Sequence, residues 1–262
     1  MTSTVGLALV TGASSGIGFE LAKLFAEDGY DVVVAADEDA IHAAADKLAG
    51  SGATVIPVQV DLRRPEDVER LYRTATEGGR HVDAAAFNAG IGRSGPFVEG
   101  DLDSDFNIID LNVRSTVHLS KLVLRDMAAR GSGKVLYTSS IVSQMPGSHQ
   151  SMYNASKSFV QSFAEALHDE MRTTGVTVTS LMPGPTDTNF FARAGMTDTL
   201  LGRMPSKDDP GKVAKQGYDA MMRDEQKVVA SSPLSKTMGL VNRVMPDSAK
   251  AVVNRVISQR LR

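Results

Sequence analysis

The sequence predicts an α/β fold, a doubly wound parallel β-sheet with helices on both faces, in a single domain that ends in a C-terminal helical extension. Three observations carry that prediction. Seven short apolar runs alternate with longer amphipathic stretches. Several runs are almost wholly apolar and lack the alternation of a half-exposed strand, which is how strands covered on both faces read. The chain has 262 residues and no linker, repeat or low-complexity tract, which suits one large domain.

The elements follow in order. VGLALVT (5–11) is the first strand, and a glycine-rich turn leads from it into a helix over 16–28. DVVVAA (31–36) is the second, followed by a helix over 39–49. TVIPVQV (54–60) is the third, and Pro65 opens the helix over 65–77 as a first-turn residue does. VDAAAFN (82–88) precedes a long helix over 104–130. KVLYTSS (134–140) precedes the helix over 152–173, and VTVTSLM (176–182) precedes the one over 209–223. KVVAS (227–231) closes the sheet. Repeated strand–helix units imply right-handed crossovers between parallel strands. The domain is read as 1–233 with a lid over about 188–211, and the extension as 234–262.

Composition removes several function classes. Apolar residues make up 42% of the chain, enough for a large core. The formal net charge of −3 provides no basic field for nucleic acid. With no cysteine, the chain has no disulfide, thiolate metal ligand or cysteine nucleophile. Its five histidines lack metal-ligand spacing, so no metal site is expected. The N-terminus MTSTVGLALVTG lacks a basic region and a cleavage site, and no apolar run approaches the roughly 20 residues of a membrane span. A soluble, cytoplasmic protein is expected.

In a doubly wound sheet, ligands bind at the carboxyl ends of the strands near the switch in strand order. The first such end is LVTGASSGIGFELAKLF, where Gly12, Gly16 and Gly18 are spaced G-x-x-x-G-x-G. Glycines allow a tight turn and close approach of a pyrophosphate, and the helix N-terminus offers free N–H groups. Ser14 and Ser15 add hydroxyl donors, and Ile17 belongs to the same cofactor-binding turn. A second candidate lies in SMYNASK, where Tyr153 and Lys157 stand four apart on one helix face. A tyrosine with its ordinary pKa of about 10 is a poor acid or base at neutral pH, and a nearby ammonium lowers that pKa.

These pieces resemble the short-chain dehydrogenase/reductase family, whose members have a Rossmann-type sheet and use nicotinamide cofactors. The resemblance rests on TGASSGIG (11–18), Asp61 in VDL, NAG (88–90), Asn112 in LNV, Ser139–Ser140, YNASK (153–157) and PGPTDT (183–188), all in the family's order. It implies that Tyr153 is the general acid and base, and that Lys157 lowers its pKa and bonds the nicotinamide ribose. Ser140 lies thirteen residues before Tyr153, as in the family, and would polarise the substrate oxygen. Ser139 is the alternative, but neighbouring hydroxyls on a strand point to opposite faces. Asn112 resembles the family's helix asparagine, which holds a water between the lysine and solvent. Asp61, with Leu62 beside it, resembles the acid that contacts the adenine. Asn88, Ala89 and Gly90 fall beside the adenosine half. Pro183 and Gly184 turn the chain, and Thr186 and Thr188 face the carboxamide. The resemblance also implies a homodimer or homotetramer joined by the helices over 104–130 and 152–173.

The acids Asp37, Glu38 and Asp39 follow the second strand. A carboxylate there accepts from the ribose hydroxyls of NAD, whereas an arginine accommodates the 2′-phosphate of NADP. The acids favour NAD through Asp37, with NADP as the alternative; counted from Gly18, the family's NAD-selecting acid would fall on Ala36. The substrate end, from 141–152 and the segment after Thr188, holds Ile141, Val142, Met145, Met152, Phe190, Phe191, Met196, Leu200, Leu201 and Met204. That set suits a hydrophobic secondary alcohol or ketone. Arg93, Gln144 and His149 are polar residues within reach, and 195–211 reads as a mobile lid. In the extension, Ala249, Val252, Val253, Val256, Ile257 and Leu261 form an apolar stripe opposite Lys250, Arg255, Arg260 and Arg262. Packing on the domain, an oligomer contact and a membrane-surface helix are its three readings. The function expected is hydride transfer between a nicotinamide cofactor and a small alcohol or carbonyl compound. The alternatives are a cofactor-binding regulator without turnover, an NADPH-preferring carbonyl or 3-oxoacyl reductase, and a nucleotide-sugar epimerase.

Overall fold

The computed structural model describes residues 5–50, 52–230 and 247–258. Seven strands form one parallel sheet: β1 (Gly6–Thr11), β2 (Tyr30–Ala36), β3 (Val55–Gln59), β4 (Ala84–Phe87), β5 (Gly133–Thr138), β6 (Val176–Pro183) and β7 (Lys227–Ala230). Their order is β3-β2-β1-β4-β5-β6-β7, so the winding reverses between β1 and β4. Pro57 sits in β3, an edge strand, where a missing N–H is tolerated.

Successive strand residues enter opposite cores. Leu7 and Leu9 of β1, Ala85 and Phe87 of β4, and Val135 and Tyr137 of β5 pack against α3 (Pro65–Thr76), α5 (Ser115–Arg130) and α6 (Ser151–Glu170). Ala8, Val10, Ala84, Ala86 and Leu136 pack against α1 (Gly16–Glu27), α2 (Ala40–Ala49) and α8 (Pro210–Met222). The unbroken apolar runs therefore serve two cores, as strands covered on both faces must.

The expected helix over 104–130 is three pieces: α4 (Leu102–Ile109), a π-type turn (Asp110–Arg114) and α5. The wide turn carries Asn112, and such turns often mark functional positions. Two further helices are α7 (Phe190–Arg193), inside the lid segment, and α9 (Asp247–Ser258).

Helix α9 packs on its own domain, in good part through polar residues. Lys250, Asn254 and Ser258 are buried, while Val252 and Val256 are about half exposed. The surface beneath is polar. Asn254 Nδ2 donates to the Ser148 carbonyl at 2.8 Å, Ser258 Oγ to Gln150 Oε1 at 3.0 Å, and Ser94 Oγ to the Ser258 carbonyl at 3.1 Å. The Val253 side chain and Arg260, Leu261 and Arg262 lie outside the described residues.

Candidate active site

The carboxyl ends of β1, β2 and β4 build one half of the site. Gly12 and Gly16 take positive φ, 66° and 59°. A Cβ on Gly18 would lie 2.1 Å from the Gly12 carbonyl oxygen, and one on Gly12 would lie 2.9 Å from Ala89 Cα. The turn therefore closes to a radius that side chains forbid. Asn88 locks it: its Nδ2 donates to the Thr11 and Gly12 carbonyls, both at 3.3 Å, and its Oδ1 accepts from Thr138 Oγ1 at 3.2 Å. Its side chain is thus spent on holding the turn.

After β2 and β3, Glu38 and Asp61 are engaged by arginines. Glu38 accepts from Ser14 Oγ and from Arg193 Nη2 at 2.7 and 2.8 Å, which holds its carboxyl below the usual range. Asp61 accepts from Arg63 Nε at 2.7 Å and Nη2 at 2.8 Å, and that guanidinium likewise lowers its pKa. Asp37 stands 3.9 Å from the same arginine. Asp39 makes no side-chain cap on α2.

The other half lies at the end of β5 and on the first turns of α6. Ser139 turns inward and donates to the Lys157 carbonyl at 3.1 Å. Ser140 takes the opposite side, beside Tyr153. Burial pushes the Tyr153 phenol up to about 12, and the hydrogen bond with Ser140 draws it partly back. Burial pushes Lys157 down to about 8. Here the sequence expectation fails: the ammonium was to lower the phenol, but desolvation dominates both groups. Lys157 Nζ donates to the Thr138 carbonyl at 2.9 Å and stands 5.9 Å from the Tyr153 ring centre. Asn112 is fully enclosed. Its Oδ1 accepts from Ile91 N at 2.9 Å, and its Nδ2 donates to the Ile91 carbonyl at 2.8 Å and Ser156 Oγ at 2.9 Å.

Both halves border one cleft of about 500 Å³. Every expected cofactor-binding or catalytic residue lines it except Gly18 and Asn112, which lie behind its wall. The volume is in the range of small-molecule and cofactor sites.

Residues 6–198 match the short chain dehydrogenase family. The chain is 31% identical over 210 residues to oxidoreductase UcpA of Salmonella typhimurium, covering 79% of this chain and 76% of that protein. It is 33% identical over 219 residues to an uncharacterised oxidoreductase of Staphylococcus saprophyticus, covering 83% and 91%. This chain belongs to the short-chain dehydrogenase family. It is an oxidoreductase of that family. Among solved structures, a short-chain dehydrogenase from Sphingobium yanoikuyae in complex with NADPH superposes with a TM-score of 0.82 at 26% identity over 98% of both chains. A family member from Burkholderia phymatum in complex with NAD superposes at 0.83 with 21% identity, over 99% and 98%, and speaks for the fold.

One end of the cleft in this short-chain dehydrogenase is largely apolar. Ile141, Val142, Met145, Phe190, Phe191, Met196 and Leu201 line the cleft; Met152, Leu200 and Met204 do not. The Phe190 ring lies 5.0 Å from that of Tyr153, and Gly92 makes room for both, since its Cβ would lie 2.7 Å from Phe190 Cζ. The segment expected to act as a lid is tied at its base by Asp187 N and Asp208 N, which donate to the Asp208 and Pro185 carbonyls at 2.9 and 2.8 Å. Of the polar candidates, Arg93 is held by Asp105 at 3.0 Å, and neither Gln144 nor His149 reaches the cleft. Gln150, Arg193 and Ile257 do reach it. Gln150 falls in the 141–152 segment and Ile257 in the apolar stripe of the extension, but the sequence did not single out either, or Arg193, for the cleft.

Proposed function

We propose that the protein is a nicotinamide-dependent alcohol dehydrogenase or carbonyl reductase that acts on an apolar secondary alcohol or ketone and prefers NAD. The observation that carries this is the joining of two features in one cleft: a glycine cradle that a Cβ would fill, and the Ser140–Tyr153–Lys157 cluster, in which Ser140 and Lys157 are buried and Tyr153 is partly open to the cleft. The residues present fit such a cofactor. The cradle exposes backbone at the start of α1, Asp37 and Asp61 border the adenosine end, and Lys157, Thr186 and Thr188 border the other. The bound cofactor supplies or accepts the hydride.

Tyr153 holds and moves the proton. A phenol held near 12 keeps its proton at neutral pH and is ready to give it to a developing alkoxide. Ser140 donates to the same oxygen as charge grows there. Lys157, lowered to about 8, is poised close to neutral pH and returns a positive charge to the site when protonated, which favours the phenolate needed for oxidation. Asn112 pins Ile91 and Ser156 and so fixes the wall behind the lysine.

NAD is favoured because the guanidinium groups nearest the adenosine end, Arg63 and Arg193, are already engaged by Asp61 and Glu38. A 2′-phosphate would have to displace a carboxylate from one of them. The exposed Phe97 and Val98 just before α4, Leu102 and Phe106 on α4, and Phe159 on α6 support a homo-oligomer. Titration of NADH and NADPH, followed by fluorescence, tests the reading on wild type and Asp37→Ala. NADH is expected to bind at least about tenfold tighter than NADPH, a gap of about 1.4 kcal/mol, and the variant to lose that margin. Equal or tighter NADPH binding refutes the preference; binding of neither refutes the function.

A further inference from the structure

Gln150 is 3% exposed and lines the apolar end of the cleft. The chain reaches it through His149, which takes a left-handed conformation at φ 67°. Its side chain is then oriented from the far end of the sequence: Ser258 Oγ donates to Gln150 Oε1 at 3.0 Å. The amide nitrogen is turned to Met196 Sδ at 2.9 Å. That sulfur can accept but cannot donate, so the nitrogen and not the oxygen must face it. A thioether is a weak acceptor, and Met196 is itself fully buried. A buried amide N–H₂ beside a cavity thus spends its donors on the poorest acceptor a protein offers, in surroundings where an unsatisfied donor is costly.

We propose that Gln150 is a substrate-binding residue, whose N–H takes an acceptor oxygen of the substrate other than the reacting one. The substrate class is then an apolar ketone or alcohol that carries a second carbonyl, ether or hydroxyl oxygen. Ser258 is the positioning residue, and Ile257, whose carbonyl is held by Leu201 N at 3.0 Å, supplies apolar wall beside it. The C-terminal helix is on this view part of the substrate pocket. The proposal rests on the oxidoreductase reading of the cleft.

The test is calorimetric binding of hexanone and of the α-, β- and γ-hexanediones to the protein–NADH complex, with steady-state reduction of the same compounds. Wild type is expected to bind at least one dione roughly tenfold tighter than hexanone, the worth of one hydrogen bond to a buried donor. Gln150→Leu levels the two by weakening the diones more than hexanone. Gln150→Glu keeps the shape and levels them as well; Ser258→Ala narrows the gap. Equal affinity in wild type, a preference that survives Gln150→Leu, or an equal loss for hexanone and diones overturns the proposal. NADH titration separates the layers. If NADH binds and no dione is preferred, the Gln150 role alone is wrong; if no nicotinamide cofactor binds, the oxidoreductase reading falls and this proposal with it.

Discussion

Replacing Lys157 with methionine is expected to abolish turnover and to remove a pH dependence of stability. The wild-type lysine is buried, and desolvation lowers its pKa from 10.5 to about 8. The unfolded chain holds that proton up to its ordinary pKa, whereas the folded chain releases it earlier. Between about pH 8 and pH 10 the unfolded state therefore binds more protons, and stability rises with pH. The stability this group withholds at neutral pH is about 3 kcal/mol, of which about 2 kcal/mol returns between pH 8 and pH 10. Above about pH 10 the trend reverses, because Tyr153 and Tyr137 keep their protons longer folded than unfolded. Methionine removes the ammonium and also the bond to the Thr138 carbonyl, a loss of about 1–3 kcal/mol. The net change at pH 7 is thus small or stabilising, and the informative quantity is the difference in slope. Thermal unfolding of both proteins from pH 7 to pH 10 should show wild type gaining about 5 °C on the variant. Parallel curves would refute the claim that Lys157 is held desolvated.

Three other perturbations are informative. Gly18→Ala puts a Cβ 2.1 Å from the Gly12 carbonyl oxygen, and should cost about 1–3 kcal/mol in urea unfolding and at least about tenfold in NADH affinity; wild-type affinity would show that the turn is not a cradle. Glu38→Gln breaks a half-exposed pair with Arg193 worth under about 1 kcal/mol, so melting should barely move. The freed guanidinium should raise NADPH affinity relative to NADH in competitive titration, and an unchanged ratio counts against Arg193 as the waiting cation. Asn88→Ala removes three side-chain hydrogen bonds around the turn and should destabilise by about 2 kcal/mol, read from the denaturation midpoint.

The sheet was legible because each buried strand must be apolar on both faces, and short runs such as DVVVAA read as such strands. The glycine turn, Asp61, Asn88 and Ser140 were legible because each follows a strand end, and Tyr153 and Lys157 because they stand four apart on one helix; the doubly wound topology collects them in one cleft. What failed needed long-range information. The polar contacts by which α9 docks were not legible, because they answer a carbonyl and a buried amide of a distant loop, which Asn254 and Ser258 satisfy. The direction of the Tyr153 shift depended on how deeply the pair is buried, which spacing on a helix does not reveal. The π-type turn around Asn112 left no signal in the sequence, since neither glycine nor proline marks DLNVR.

The central claim is that Tyr153 carries the proton while the rest of the cleft binds the cofactor. Tyr153→Phe tests it most directly, with NADH affinity and single-turnover hydride transfer to a hexanedione measured on the same preparation. The expected result is NADH affinity within about twofold of wild type and hydride transfer slowed by about 10²–10⁴. Hydride transfer at the wild-type rate in the phenylalanine variant would contradict the account.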